Sequence, residues 1–161
     1  MRIVKVARRV SAYWKELYAT QPEAANLPYL EQMKWFYADF YGPVDIWQTY
    51  LRKAGHDATD MICGVDPLDA AWRAEHGGDE AGFDLIRRQV AEANPEVLVL
   101  EAIQSFSVPE IEALRASVPA LRTLIGNTGF DLRNRPGIAA VDVAPPATSV
   151  ERKASSSDVL P

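Results

Sequence analysis

Apolar and polar positions along this chain switch between a period of two and a period near 3.6, and the order of the switches predicts the fold. Residues 2–7 hold Ile3, Val4 and Val6 in a compact β-branched run suited to a strand that starts almost at residue one. Residues 8–27 are aromatic and poorly periodic, with Pro22 and Pro28 interrupting any helix, so they read as a long loop of the kind that carries function. Helical spacing resumes over residues 29–41 through Leu30, Met33, Lys34 and Tyr37, and Gly42 with Pro43 breaks it. A second helical piece over residues 44–54 sets Ile46, Trp47, Tyr50 and Leu51 on one face. Gly55 can take the left-handed conformation that closes that helix, and residues 58–63 then run apolar as a second strand.

The second half repeats the theme. Asp66 as N-cap and Pro67 in the first turn open a helix through Leu68, Ala71 and Trp72, which Gly77 and Gly78 end. Residues 83–93 form the next helix, stopped by Asn94 and Pro95 ahead of the continuous apolar run 97–100, the pattern of a strand buried on both sides. Ser107 and Glu110 make a capping box for a helix that runs to Val118, and residues 121–125 are a fourth strand. The order β-α-β-α-α-β-α-β predicts an α/β fold: a Rossmann-like open parallel sheet of four or five strands with flanking helices, in one domain over residues 1–132. Residues 133–161 carry Pro136, Pro145, Pro146, Pro161 and three consecutive serines from Ser155, and they read as a disordered tail. The short apolar run 138–143 offers the alternative of a fifth strand.

Composition narrows the class. The apolar share of 48% and charged share of 24% are those of a globular chain. A net charge of -5 argues against duplex nucleic acid as a partner. Positive charge is nevertheless concentrated early, in Arg2, Lys5, Arg8, Arg9 and Lys15, beside the first strand and the loop after it. Cys63 is the single cysteine, which excludes an intrachain disulfide, fits a reducing cytoplasm and reads as a buried inert thiol at a strand end. No run of about 18 apolar residues suggests a membrane span.

Ligands of open parallel sheets bind outside the carboxyl ends of the strands, so the loops after Ala7, Cys63, Glu101 and Gly126 are the ones to search. They offer Arg8 and Arg9, then Asp66, then Glu101, Gln104 and Ser105, then Asn127, Thr128 and Asp131. Glu101 is the acid or base candidate, because a carboxylate at the buried end of a central strand can have its pKa raised; the bland reading is a helix cap or a partner for an arginine. Arg8, Arg9, Gln104, Ser105, Asn127 and Thr128 are the substrate-binding candidates. The first loop lacks the glycines of dinucleotide and P-loop sites, and two histidines with one cysteine give no metal-ligand pattern, so no cofactor and no metal are expected. His56 and His76 read as residues at helix ends. The aromatic side chains between Trp35 and Tyr50 read as core and inter-helix packing rather than a stacking surface.

A resemblance joins these signals. The aromatic insertion after strand one, the break at Tyr41, Gly42 and Pro43, the run from Asp45 through Trp47 and Tyr50 to Gly55 and His56, then Asn94 and Pro95 before the strand 97–100, and Leu124, Ile125 and Gly126 together resemble the N-terminal domain of GT-B glycosyltransferases. The nearest branch is the bacterial spore-maturation or spore-protein glycosyltransferase-like family, and the likeness spans residues 1–132. It implies an acceptor-binding domain facing a second domain that holds the nucleotide sugar without a metal. It therefore implies a missing C-terminal donor-binding domain or a separate chain, a truncated product inactive alone, an exposed apolar patch with self-association, and a sugar acceptor the residues do not identify. Two other readings stand beside it: a small-molecule binding module of cobalamin or flavodoxin type, and a non-enzymatic interaction domain using residues 35–50.

Overall fold

The computed structural model describes residues 1–8, 11–38, 46–127 and 140–142. Four strands, β1 (Arg2–Arg8), β2 (Asp57–Cys63), β3 (Val97–Glu101) and β4 (Thr123–Asn127), form one sheet in the order β2-β1-β3-β4 with every pairing parallel. Among the described residues six helices flank it: α1 (Ser11–Thr20), α2 (Tyr29–Ala38), α3 (Ile46–Lys53), α4 (Asp66–His76), α5 (Gly82–Ala93) and α6 (Val108–Ser117). The protein is an α/β fold, and among the described residues its parallel sheet has four strands, as the alternation of periods predicts.

Each face of the sheet is covered by apolar helices, which is why the strands read as near-continuous hydrophobic runs. On one face Val4, Val6, Met61, Cys63, Leu98, Leu100 and Leu124 pack with Ile86 and Val90 of α5 and Ile111 and Leu114 of α6. On the other, Ile3, Ala58 and Val99 meet Leu51 of α3, and Ile62 joins a cluster built from Trp14, Tyr18, Met33, Phe36 and Leu68.

That last cluster corrects the loop expected over residues 8–27. Residues 11–20 are helix α1 and Pro22–Asn26 a 3-10 turn. Tyr13 with Leu17 and Trp14 with Tyr18 are i, i+4 pairs, and the helix is held by packing on α2, Tyr18 meeting Phe36 edge to face at 5.7 Å. Tyr18 also donates its hydroxyl to the fully buried Gln32, whose amide in turn donates to Leu27 O at 2.7 Å.

The aromatic packing expected between residues 35 and 50 divides in two. Phe36 is buried and Trp35 and Tyr37 pack beside it, but Trp47 and Tyr50 on α3 are 47% and 66% exposed; Phe40 and Tyr41 lie outside the described residues. At the start of α4 the N-cap is Val65, with Asp66 the first helical residue and no side-chain cap. The capping box of α6 is present, with Ser107 N donating to Glu110 Oε2 at 2.7 Å. Gly55 takes φ +84° and turns α3 into β2.

One residue of α5 draws α4 and α5 together. Arg88 donates to His76 O and Gly77 O at the end of α4, pairs with Glu80 at 2.8 Å and with Glu92 at 2.9 Å, and stacks over Trp72. Trp72 in turn stacks on His76, which ends α4 as expected. Of residues 133–161 only Ala140–Asp142 are described, and they lie along the outer edge of β4.

Candidate functional site

The strand order changes direction at β1, with β2 on one side and β3 on the other, so the crevice outside the carboxyl ends of β1 and β3 is where this topology receives ligands. Register places the edge: Arg8 lies beside Cys63, Ala7 beside Glu101, and Glu101 beside Asn127. Glu101 and Asn127 are therefore brought together on neighbouring strand ends. Arg9 and Thr128 lie outside the described residues.

Just below the rim sits a charged group that no motif announced. Lys5 of β1 is 5% exposed and its Nζ lies 3.3 Å from Asp60 Oδ2 on β2 and 3.5 Å from Glu101 Oε2 on β3. Lys5 is the direct lateral neighbour of Asp60, and Glu101 is two residues beyond Val99, its neighbour on β3, so the pleat sends all three side chains to one face. Asp60 is as buried as the lysine, whereas the Glu101 side chain is 32% exposed and reaches toward the rim. The two buried charges form a close ion pair, which offsets part of their desolvation. The residue after Glu101, Ala102, has φ 56° and ψ 56°, a left-handed backbone that L-residues other than Asn, Asp and Gly resist at a cost of about 1 kcal/mol. Strain at the carboxyl end of a central strand marks the same position as the charges.

Arg8 has another role from the one its sequence position suggests. Its guanidinium donates to Ser105 O, pairs with Glu110 Oε1 at 2.8 Å and lies 4.4 Å from the Phe106 ring centroid. Burial raises the Glu110 carboxyl, but the Ser107 N–H, the Arg8 guanidinium and the Ser107 hydroxyl outweigh it and hold it below the usual range. Arg8 thus ties β1 to the start of α6. Ser105 serves through its carbonyl, and Gln104 is exposed on the 3-10 turn Ile103–Ser105. Arg2 pairs with Asp57 at 3.0 Å at the opposite end of the sheet, and Lys15 lies over the Trp14 ring at 5.5 Å.

Behind the rim, the end of β2 and the first turn of α4 each hold a buried group, Cys63 and Asp69. Burial raises the Asp69 carboxyl to about 6 despite the Arg73 charge and the N–H of Gly64. Burial and the Asp69 charge push the Cys63 thiol up against the influence of Arg8, and its Sγ lies 3.5 Å from Gln89 Oε1. A fully buried thiol of this kind is inert. Ellman's reagent should find no thiol in the native protein and one after denaturation in urea; rapid reaction under native conditions would show that the strand end opens.

Comparison with known protein families, with curated proteins and with solved structures gives no match. Among the described residues no group of three or more His, Cys, Asp or Glu is placed to hold a metal ion. Nor is any helix among them long and apolar enough to cross a membrane. Lys5 and Asp60 are the site residues that sequence reasoning missed. A charge interrupting each of two apolar strands was the available signal.

Proposed function

We propose that the chain is the acceptor-side half of a glycosyltransferase, moving a sugar from a nucleotide-sugar donor held by a second domain or separate chain. The observation that carries this reading is Glu101, a carboxylate at the rim of the crevice between β1 and β3, held by an ammonium that is itself fixed by Asp60. In such a transfer the acceptor hydroxyl attacks the anomeric carbon, the bond to the nucleoside diphosphate breaks, and a carboxylate takes the hydroxyl proton. A base anchored by buried charge keeps its position as the acceptor binds, which is how orientation lowers the barrier. Arg8, the described arginine at the end of β1, is committed to Glu110 and the Phe106 ring, which fits a reading in which another domain holds the donor phosphates.

Calorimetric titration with uridine, guanosine and thymidine diphosphate sugars at physiological ionic strength should give no tight binding and no turnover for the chain alone. Saturation-transfer NMR against a saccharide panel should detect acceptor binding that Glu101→Gln weakens at least tenfold while the far-UV spectrum is unchanged. Salt-resistant micromolar binding of a nucleotide sugar would overturn the half-enzyme reading. A second reading, a small-molecule binding module, draws on the strand order 2-1-3-4, which flavodoxin-like domains share. Binding of a flavin or corrin in the same titrations, with no response to saccharides, would favour it.

A further inference from the structure

Sheet edges are a hazard, and this protein manages one of them with a separate piece of chain. The strand β4 (Thr-Leu-Ile-Gly-Asn) carries no charge and no proline, the features that usually discourage pairing with another strand. What covers it is Ala140–Asp142. The Asp142 N–H donates to Leu124 O at 2.8 Å, and the Leu124 N–H donates to Asp142 Oδ2 at 2.7 Å. Arg115 of α6 locks the segment, its guanidinium donating to Ala140 O at 3.2 Å and lying 3.0 Å from Asp142 Oδ1. Val141 settles over Gly126, where a Cβ would lie 3.4 Å from its Cγ1. With Val141 beside Gly126 and Asp142 beside Leu124, the segment runs back along β4.

From this arrangement we infer that β4 is a latent dimerisation edge, kept closed by the Arg115–Asp142 clasp, and that its occupant on release is β4 of a second copy, running antiparallel. The partner follows from the edge itself. Leu124 turns both its N–H and its C=O outward, as the two bonds to Asp142 show, and the pleat gives Gly126 the same orientation. In an antiparallel pair centred on Ile125, Leu124 of each copy falls opposite Gly126 of the other, and such residues exchange both backbone bonds. Each large side chain then faces the smallest one. Thr123 falls opposite Asn127, so no like charges meet. A contact that maps onto itself in this way closes as a two-fold dimer and goes no further.

The test is the mass in solution of the full chain and of two variants, read together with amide exchange. The wild-type protein should elute as a monomer of 17.8 kDa, against the self-association that the glycosyltransferase resemblance implies. Asp142→Ala and Arg115→Ala should each double that mass at the same concentration, with the amides of Leu124 and Gly126 protected in the dimer and exchanging rapidly on dilution. Arg115 is at the surface of α6, its side chain 37% exposed, so its removal loosens the clasp without touching the sheet, leaving Ala140 and Val141 to be displaced from their packing on the core. Variants that stay monomeric at millimolar concentration would overturn the inference. So would dimers whose Leu124 and Gly126 amides exchange rapidly, a wild-type dimer with the Leu124 bond to Asp142 intact, or loss of helical signal in both variants, which would make the segment part of the core instead of a cover.

Discussion

Lys5→Met should cost about 3 to 5 kcal/mol of folding stability, because it removes the ammonium from a carboxylate that the sheet keeps out of water. Asp60 is 5% exposed and cannot recover its hydration without opening β2, and Glu101 loses its anchor in the same substitution. Adding Asp60→Leu should return most of the loss, since a buried pair replaced by apolar side chains of similar size is close to neutral. Urea unfolding of the three proteins at neutral pH measures both effects. A Lys5→Met protein within about 1 kcal/mol of wild type would mean that water reaches the cluster and that Glu101 is positioned by something else.

Asp69→Asn should stabilise the protein by about 3 kcal/mol at pH 8 and by under about 1 kcal/mol at pH 4. In the folded chain burial raises this carboxyl to about 6, above its ordinary value of 3.8. The folded state therefore binds the proton more tightly than the unfolded state. Its contribution is fully present below pH 3.8 and is lost as the pH rises through about 6, where the charge must form in a site that is 8% exposed. Asparagine resembles the neutral acid, still accepts from the Gly64 N–H and removes the penalty. Thermal melts of both proteins from pH 4 to pH 8 would show the two curves diverging upward. Parallel curves would show that Asp69 is charged and solvated throughout.

The sheet was legible because its strands are apolar enough to stand out without their neighbours. The expected runs 2–7, 58–63 and 97–100 fall within one residue of β1, β2 and β3, and the order of elements required parallel pairing. The fourth, expected at 121–125, begins at Thr123, because Leu121 and Arg122 serve the turn after α6, where they bond to Val118 O and Glu96 O. Helix α1 was hidden because it has no acidic first turn and no basic last turn, and it is held by aromatic contacts of Tyr18 with Trp35 and Phe36, 17 and 18 positions later. Glu101 could be singled out as a candidate because its position at the end of an apolar run is local information. Lys5 and Asp60 were not, since 55 residues separate them and only the register of β1 with β2 makes them neighbours. Arg8 shows the converse, a charge in the right place by sequence whose partner, Glu110, is known only once α6 is packed.

The arginine that bridges α4 and α5 has a bearing on how the chain folds. Arg88 reaches His76, Gly77, Glu80 and Glu92, all within a dozen residues of itself, so this helical hairpin closes through local contacts that cost little chain entropy. It is also the connection that must carry the chain from β2 past β1 to β3, the longest lateral step in the sheet. A hairpin that is already folded shortens the loop that this step has to close. Docking β3 on β1 is the step that brings Glu101 to Lys5.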